Sequence, residues 1–118
     1  MFTDILKKVV DNAEGGFAAV IMGLDGIPVD QYVRVNDRVD VATVGMEFSF
    51  IIGQIRKAAD SLAVGTFDEL TVRAERILIV VRMLTPQYFV AVALAAEGNA
   101  GKARFLLRLG APKLVSAL

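Results

Sequence analysis

The stretch VATVGMEFSFIIGQIRKAADSLAV, residues 41–64, decides how the rest of the chain is read. Placed on a helix at about 100° per residue, it sorts into three sectors. Val41, Val44, Phe48, Ile51, Ile52, Ile55, Ala59 and Leu62 fall in one apolar stripe wide enough to face a core. Glu47, Gln54, Lys57 and Ser61 form a polar stripe. The third sector is the unusual one: Gly45, Ser49 and Gly53 recur every four residues beside Met46 and Phe50. A surface helix ordinarily carries charge at such positions. Glycine inside a helix costs about 1 kcal/mol relative to alanine, so a compensating contact is expected.

Two packings satisfy this sector. Small residues four apart admit a second helix closely, most simply the same helix of a second copy. Alternatively, Gly45 and Gly53 pack under another segment of the same chain, with Met46 and Phe50 in the core. The core stripe is already full without them, which favours the interface of two copies, built from Gly45, Met46, Ser49, Phe50 and Gly53.

Upstream, residues 2–13 read as a helix. Phe2, Ile5, Leu6, Val9, Val10 and Ala13 fall at helical spacing, Thr3 stands as N-cap, and Gly15-Gly16 ends the element. Phe17 to Gly23 is apolar on both faces, as in a central strand. Asp25-Gly26 marks a hairpin. Ile27 to Val35 alternates, with Ile27, Val29, Val33 and Val35 on one side and Pro28, Asp30, Tyr32 and Arg34 on the other; Pro28 makes it an edge strand. Asn36 to Asp40 is a polar turn in which Asp40 is placed to cap the long helix.

Downstream, strands are predicted at about 66–73, 76–84 and 88–96, joined by short links in an antiparallel meander. The last two are nearly all apolar and read as central. The first, Thr66 to Arg73, sets Leu70 and Val72 against Glu69, Thr71 and Arg73. It ends the meander, so pairing with its own copy through Glu69 and Thr71 would protect an open edge. Asn99 to about Leu118 closes the chain as a helix that Gly110 and Pro112 should kink or end early. The order α-β-β-α-β-β-β-α, five antiparallel strands with helices on both faces, is a self-consistent single α+β domain over residues 1–118.

Composition narrows the function. Thirteen basic and thirteen acidic residues give no surplus for nucleic acid. The absence of cysteine and histidine removes disulfides, thiol nucleophiles, the usual zinc ligands and the commonest general base. No secretory leader and no membrane-length apolar run are visible, so a cytoplasmic protein without membrane insertion is expected. A hydrophobic share of 55% points to a buried surface beyond that of a lone monomer.

Other chemistry reads weakly. Gly98-Asn99-Ala100-Gly101-Lys102 has the context of a phosphate loop but not its pattern: Ala96 stands where a glycine is needed and Ala103 where a hydroxyl must reach magnesium. Asp37 and Asp40 read as turn and cap residues rather than metal ligands. Asp68, Glu69 and Glu75 flank a hairpin and read as either solvated or paired with Arg73 and Arg76. Ser49 and Ser61 have no histidine to activate them. Arg104 and Arg108, with Lys102, form a basic stripe on the last helix, either solvated or facing an acidic partner. No catalytic residue, cofactor or metal is expected. Ala91, Ala93 and Ala95 line one side of a strand. They either admit a helix closely or leave a ligand cavity between sheet and helix, and the second option makes a small-molecule sensor the alternative function.

Leu24-Asp25-Gly26, Gly53 within the long helix, and Asn99, Gly101, Ala103 and Arg104 opening the last one carry a resemblance over essentially the whole chain. In their order along it, the sequence resembles the roadblock family of dynein-light-chain-like domains. The resemblance implies a sheet of order 2-1-5-4-3, with the long helix on one face and the terminal helices on the other. It implies a homodimer built long helix to long helix and third strand to third strand. It also implies a non-enzymatic regulator or scaffold for a Ras-like small GTPase, in bacteria a polarity or gliding GTPase. Contact would fall near the paired helices, around Glu47, Gln54, Arg56 and Lys57.

Overall fold

The computed structural model describes residues 2–35 and 39–118. Of the expected turn at 36–40, Asn36 and Asp37 lie outside the described residues.

Helix α1 spans Phe2–Asn12 and buries Leu6, Val9 and Val10. Thr3, expected as its N-cap, lies inside the helix, where its hydroxyl donates to Asp30 Oδ2 at 2.7 Å and ties α1 to the second strand. Strand β1, Gly16–Gly23, is buried throughout. The turn after it works as the sequence indicates. Gly26 adopts φ +84°, a conformation open to glycine. The Gly23 N–H donates to the Ile27 carbonyl, and the Ile27 N–H donates to Asp25 Oδ1 at 3.0 Å. Strand β2, Pro28–Val33, follows, and helix α2 runs over Val41–Leu62. Asp40 caps α2, accepting from the Thr43 N–H at 3.2 Å and the Thr43 hydroxyl at 2.9 Å. Ala63, in the left-handed conformation at φ 53°, ends it.

Strands β3 (Glu69–Arg73), β4 (Leu78–Met83) and β5 (Tyr88–Leu94) form the meander, and helix α3 (Ala100–Ala117) closes the chain. β3 starts later than the apolar pattern suggests, because Phe67 turns into the core beneath α2 instead. The sheet order is β2-β1-β5-β4-β3, antiparallel at every step, with β5 central and β2 and β3 at the edges.

Each face of the sheet has its own core. On one, α1 and α3 cover Ile21, Leu78, Val80 and Val92 with Leu6, Val10, Leu107 and Leu114. On the other, α2 covers Val20, Met22, Val81 and Phe89 with Val41 and Ile52. Among the described residues no polar side chain is buried, so both layers are held by apolar packing. The early end expected in α3 does not occur: the helix continues through Pro112 to Ala117. Proline lacks the N–H that would reach the Arg108 carbonyl. Both residues lie on the exposed side of the helix.

Candidate protein-interaction face

The outer surface of α2 is set by how the helix rolls onto the sheet. Gly45, Ile52 and Ala59, seven residues apart, lie buried against it together with Val41. Gly45 is the closest approach: a Cβ there would stand 2.9 Å from Met22 Cε and 3.1 Å from Val20 Cγ1. This corrects the sequence reading at two points. Gly45 belongs to the core side and serves the chain's own helix–sheet packing. Ile51 and Leu62, assigned to the core stripe, are exposed, Leu62 to 71%. Hydropathy drew the stripe toward large residues. The backbone rolled toward the glycine, where it approaches the sheet most closely.

The rest of the small-residue sector faces outward. Phe50 is 69% exposed and Met46 56%, large values for side chains with this much apolar area. Among the described residues, no atom beyond its own stretch of helix lies within 4 Å of where a Cβ on Gly53 would be, so no packing found there accounts for that glycine. Ser49 donates to the Met46 carbonyl of its own helix at 2.6 Å, which leaves the surface there without a projecting polar group. Met46 and Ser49 lie over Gly26 of the β1–β2 turn. Val33, which pairs with Ala18 and so stands on the α2 side of the sheet, is exposed on β2, as is Val29, and Ile27 just before the strand is exposed too. The alternation of β2 signalled an apolar side but not that α2 leaves it uncovered.

Glu47, Gln54 and Lys57 are exposed on α2, around Phe50. Arg56 is not free beside them: its guanidinium donates to the Pro86 carbonyl and braces the β4–β5 turn. At the β3 edge, Glu69 accepts from Arg82 at 2.9 Å and from Arg108 at 3.3 Å, and Thr71 accepts from Arg104 at 3.4 Å. Arg73 donates to the carbonyls of Ala96 and Gly98. These side chains therefore clamp β3 to α3 and to the segment before it. Of the two readings for Glu69, solvated or paired with Arg73 or Arg76, neither holds: its partners are Arg82 and Arg108. The pair Arg104 and Arg108 is turned to β3 rather than offered to a partner. What β3 leaves open at the sheet edge is its backbone.

The remaining candidates resolve locally. Asn99 caps α3, accepting from the Lys102 N–H at 2.9 Å, and a Cβ on Gly98 would stand 2.7 Å from the Glu14 carbonyl, so Gly98 to Lys102 is a packed turn and cap. Ala91 and Ala93 lie in the core under α2, and Ala95 is buried beside Gly15; the alanine row admits close packing. A cleft of about 430 Å³ lies elsewhere, between the end of α2 and the β4–β5 turn, lined by Arg56, Phe67, Asp68 and Met83 among others. Among the described residues, no helix is long and apolar enough to cross a membrane, and no three carboxylates gather as for a metal.

With this geometry in hand, comparison with solved structures is decisive. MglC from Myxococcus xanthus is 39% identical over 99% of this chain and 98% of its own, with a TM-score of 0.71. The chain belongs to the roadblock family. More distant roadblock folds agree in shape alone. A gliding protein, MglB of Thermus thermophilus, is 13% identical over 96% of this chain and 84% of its own, at a TM-score of 0.84. A Roadblock/LC7 domain from Streptomyces avermitilis is 16% identical over 95% of this chain and 96% of its own, at 0.76. No family model and no curated protein sequence matches this roadblock chain.

Proposed function

We propose that this roadblock chain is a dimeric, non-catalytic regulator that binds a Ras-like small GTPase and sets its nucleotide cycle or its placement in the cell. The observation that supports this most is Phe50, an aromatic side chain standing 69% exposed in the middle of an outward helix face, beside the open Gly53. In the dimer, Phe50, Met46, Ser49 and Gly53 of one copy meet those of the other. The β3 backbones pair to extend the sheet, which protects an otherwise open edge. Gly45 has no part in this interface. The GTPase contacts the rim of the paired helices, where Glu47, Gln54 and Lys57 surround an apolar centre. Exposed aromatic and methionine side chains ringed by polar groups are the usual composition of such a contact. The likeness to MglC supports bacterial motility or polarity as the regulated process.

Gly98 to Lys102 is a packed turn and cap rather than a phosphate loop, so the effect comes from binding one nucleotide state of the GTPase in preference to the other. Ras-like GTPases of the source organism, loaded with GDP or with a non-hydrolysable GTP analogue, are to be titrated into the protein by calorimetry. At least a tenfold preference for one form is expected. Equal affinity for both removes the mechanism, because such a ligand shifts no population. A thermal-shift screen with nucleotides and common metabolites is expected to be flat. A ligand at 100 times its Kd would stabilise by about 2.7 kcal/mol and would favour a sensor working through the 430 Å³ cleft.

A further inference from the structure

The opposite face of the sheet carries a second surface, independent of the proposal above. Helices α1 and α3 cross at Ile5 and Gly110, where a Cβ on the glycine would stand 2.9 Å from Ile5 Cγ2. Alongside this crossing runs a groove of about 260 Å³. Val9 and Leu106 continue its apolar floor, and Leu109, 60% exposed, stands at its side. Lys8 of α1 and Lys113 of α3 line it as well, with Asp4.

The charge on this face is one-sided. In eighteen residues α3 holds four cations and no acid. Arg104 and Arg108 are taken up by Thr71 and Glu69. Lys102 holds its ammonium 5.8 Å from the ring centre of Phe105, itself exposed on the same helix. On α1 the acids Asp4 and Asp11 balance Lys7 and Lys8, and Lys7 pairs with Asp11 at 2.6 Å. The groove is thus apolar within and net positive around it.

We propose that the α1–α3 groove binds an acidic amphipathic helix of a partner protein. Its apolar side chains, at i, i+3 or i+4, and i+7, enter against Ile5, Val9 and Leu109, and its glutamates or aspartates face Lys8 and Lys113. A second copy fits poorly, since two α3 faces of the same sign repel.

The test pans a random helical-peptide display library on the intact protein. The selected peptides are then measured by fluorescence anisotropy against wild type, Leu109→Asp and the double variant Lys8→Glu/Lys113→Glu, each confirmed folded by circular dichroism. Acid-rich amphipathic peptides are expected, at least tenfold weaker on both variants and weaker in high salt. Exchanging their acids for lysines should restore binding to the double variant. Selected peptides without acidic enrichment, equal binding to all three proteins, or no selected peptide overturns the proposal. Co-sedimentation with vesicles containing phosphatidylglycerol, abolished by Leu109→Asp, would also overturn it, in favour of a lipid surface.

Discussion

Gly45 and Gly53 lie on the same helix eight residues apart, yet one is enclosed by the sheet and the other stands in the open. Their alanine variants should therefore part company. Gly53→Ala gains helix propensity of about 1 kcal/mol when the chain is held monomeric by Phe50→Arg. Gly45→Ala gains the same propensity but must displace Met22 and Val20, an overpacking cost of about 1–3 kcal/mol. Urea melts in that background should place Gly45→Ala below Gly53→Ala by 1 kcal/mol or more, on the order of the overpacking cost; equal stabilities would contradict the placement of Gly45. The distinction was illegible in the sequence, because a glycine has no side chain whose hydropathy betrays which way it faces. Phe50 was legible, since no roll of the helix that buries Val41 and Ile52 also buries it.

Titration adds a second residue-scale expectation. The Lys7 ammonium bonded to Asp11, helped by the Tyr32 hydroxyl at 3.2 Å and by Arg34, holds the Asp11 carboxyl below its ordinary value of 3.8. Because the folded value is the lower one, the stabilisation is present above the ordinary carboxylate range. It is lost as pH falls through the lowered value. Carbon-detected NMR titration should show that depression, and Lys7→Ala should move Asp11 back up. An unchanged Asp11 in the variant would assign the effect to another group.

At the scale of elements, α3 shows where local signals and context disagree. Pro112 reads as a breaker, yet the helix continues through it, with Pro112 and Arg108 both on the exposed side. Pro112→Ala should then stabilise the protein, by up to about 3 kcal/mol if the full interior penalty is present. Asn99→Ala should cost about 1 kcal/mol through loss of the cap on the Lys102 N–H. Thermal melts of both variants check the pair, and a Pro112→Ala protein that melts lower would refute the continuous helix. Strands β1 and β5 were plain in the sequence, since only a central strand is apolar on both faces. The side-chain directions of β3 were not. Glu69 and Thr71 are oriented by Arg108 and Arg104, which lie 39 and 33 residues away, and no local pattern carries that information.

For the whole molecule, the two faces of one sheet divide the work. The α2 side presents Phe50 and Met46 with an open glycine between their turns, and the α1–α3 side presents a cationic groove. Large apolar side chains reach solvent on both faces, Phe50 and Met46 on the first and Phe105 and Leu109 on the second. The central claim is that this α2 face joins two copies. It is tested most directly by size exclusion with light scattering on wild type and Phe50→Arg, with circular dichroism confirming the fold of each. Phe50 is exposed, so the substitution should change the fold's own stability by no more than about 0.5 kcal/mol. The account predicts a wild-type mass twice the 12.7 kDa of the chain and a folded Phe50→Arg protein at 12.7 kDa. A wild-type protein already at the chain mass, or a Phe50→Arg protein that stays at twice that mass, would contradict it.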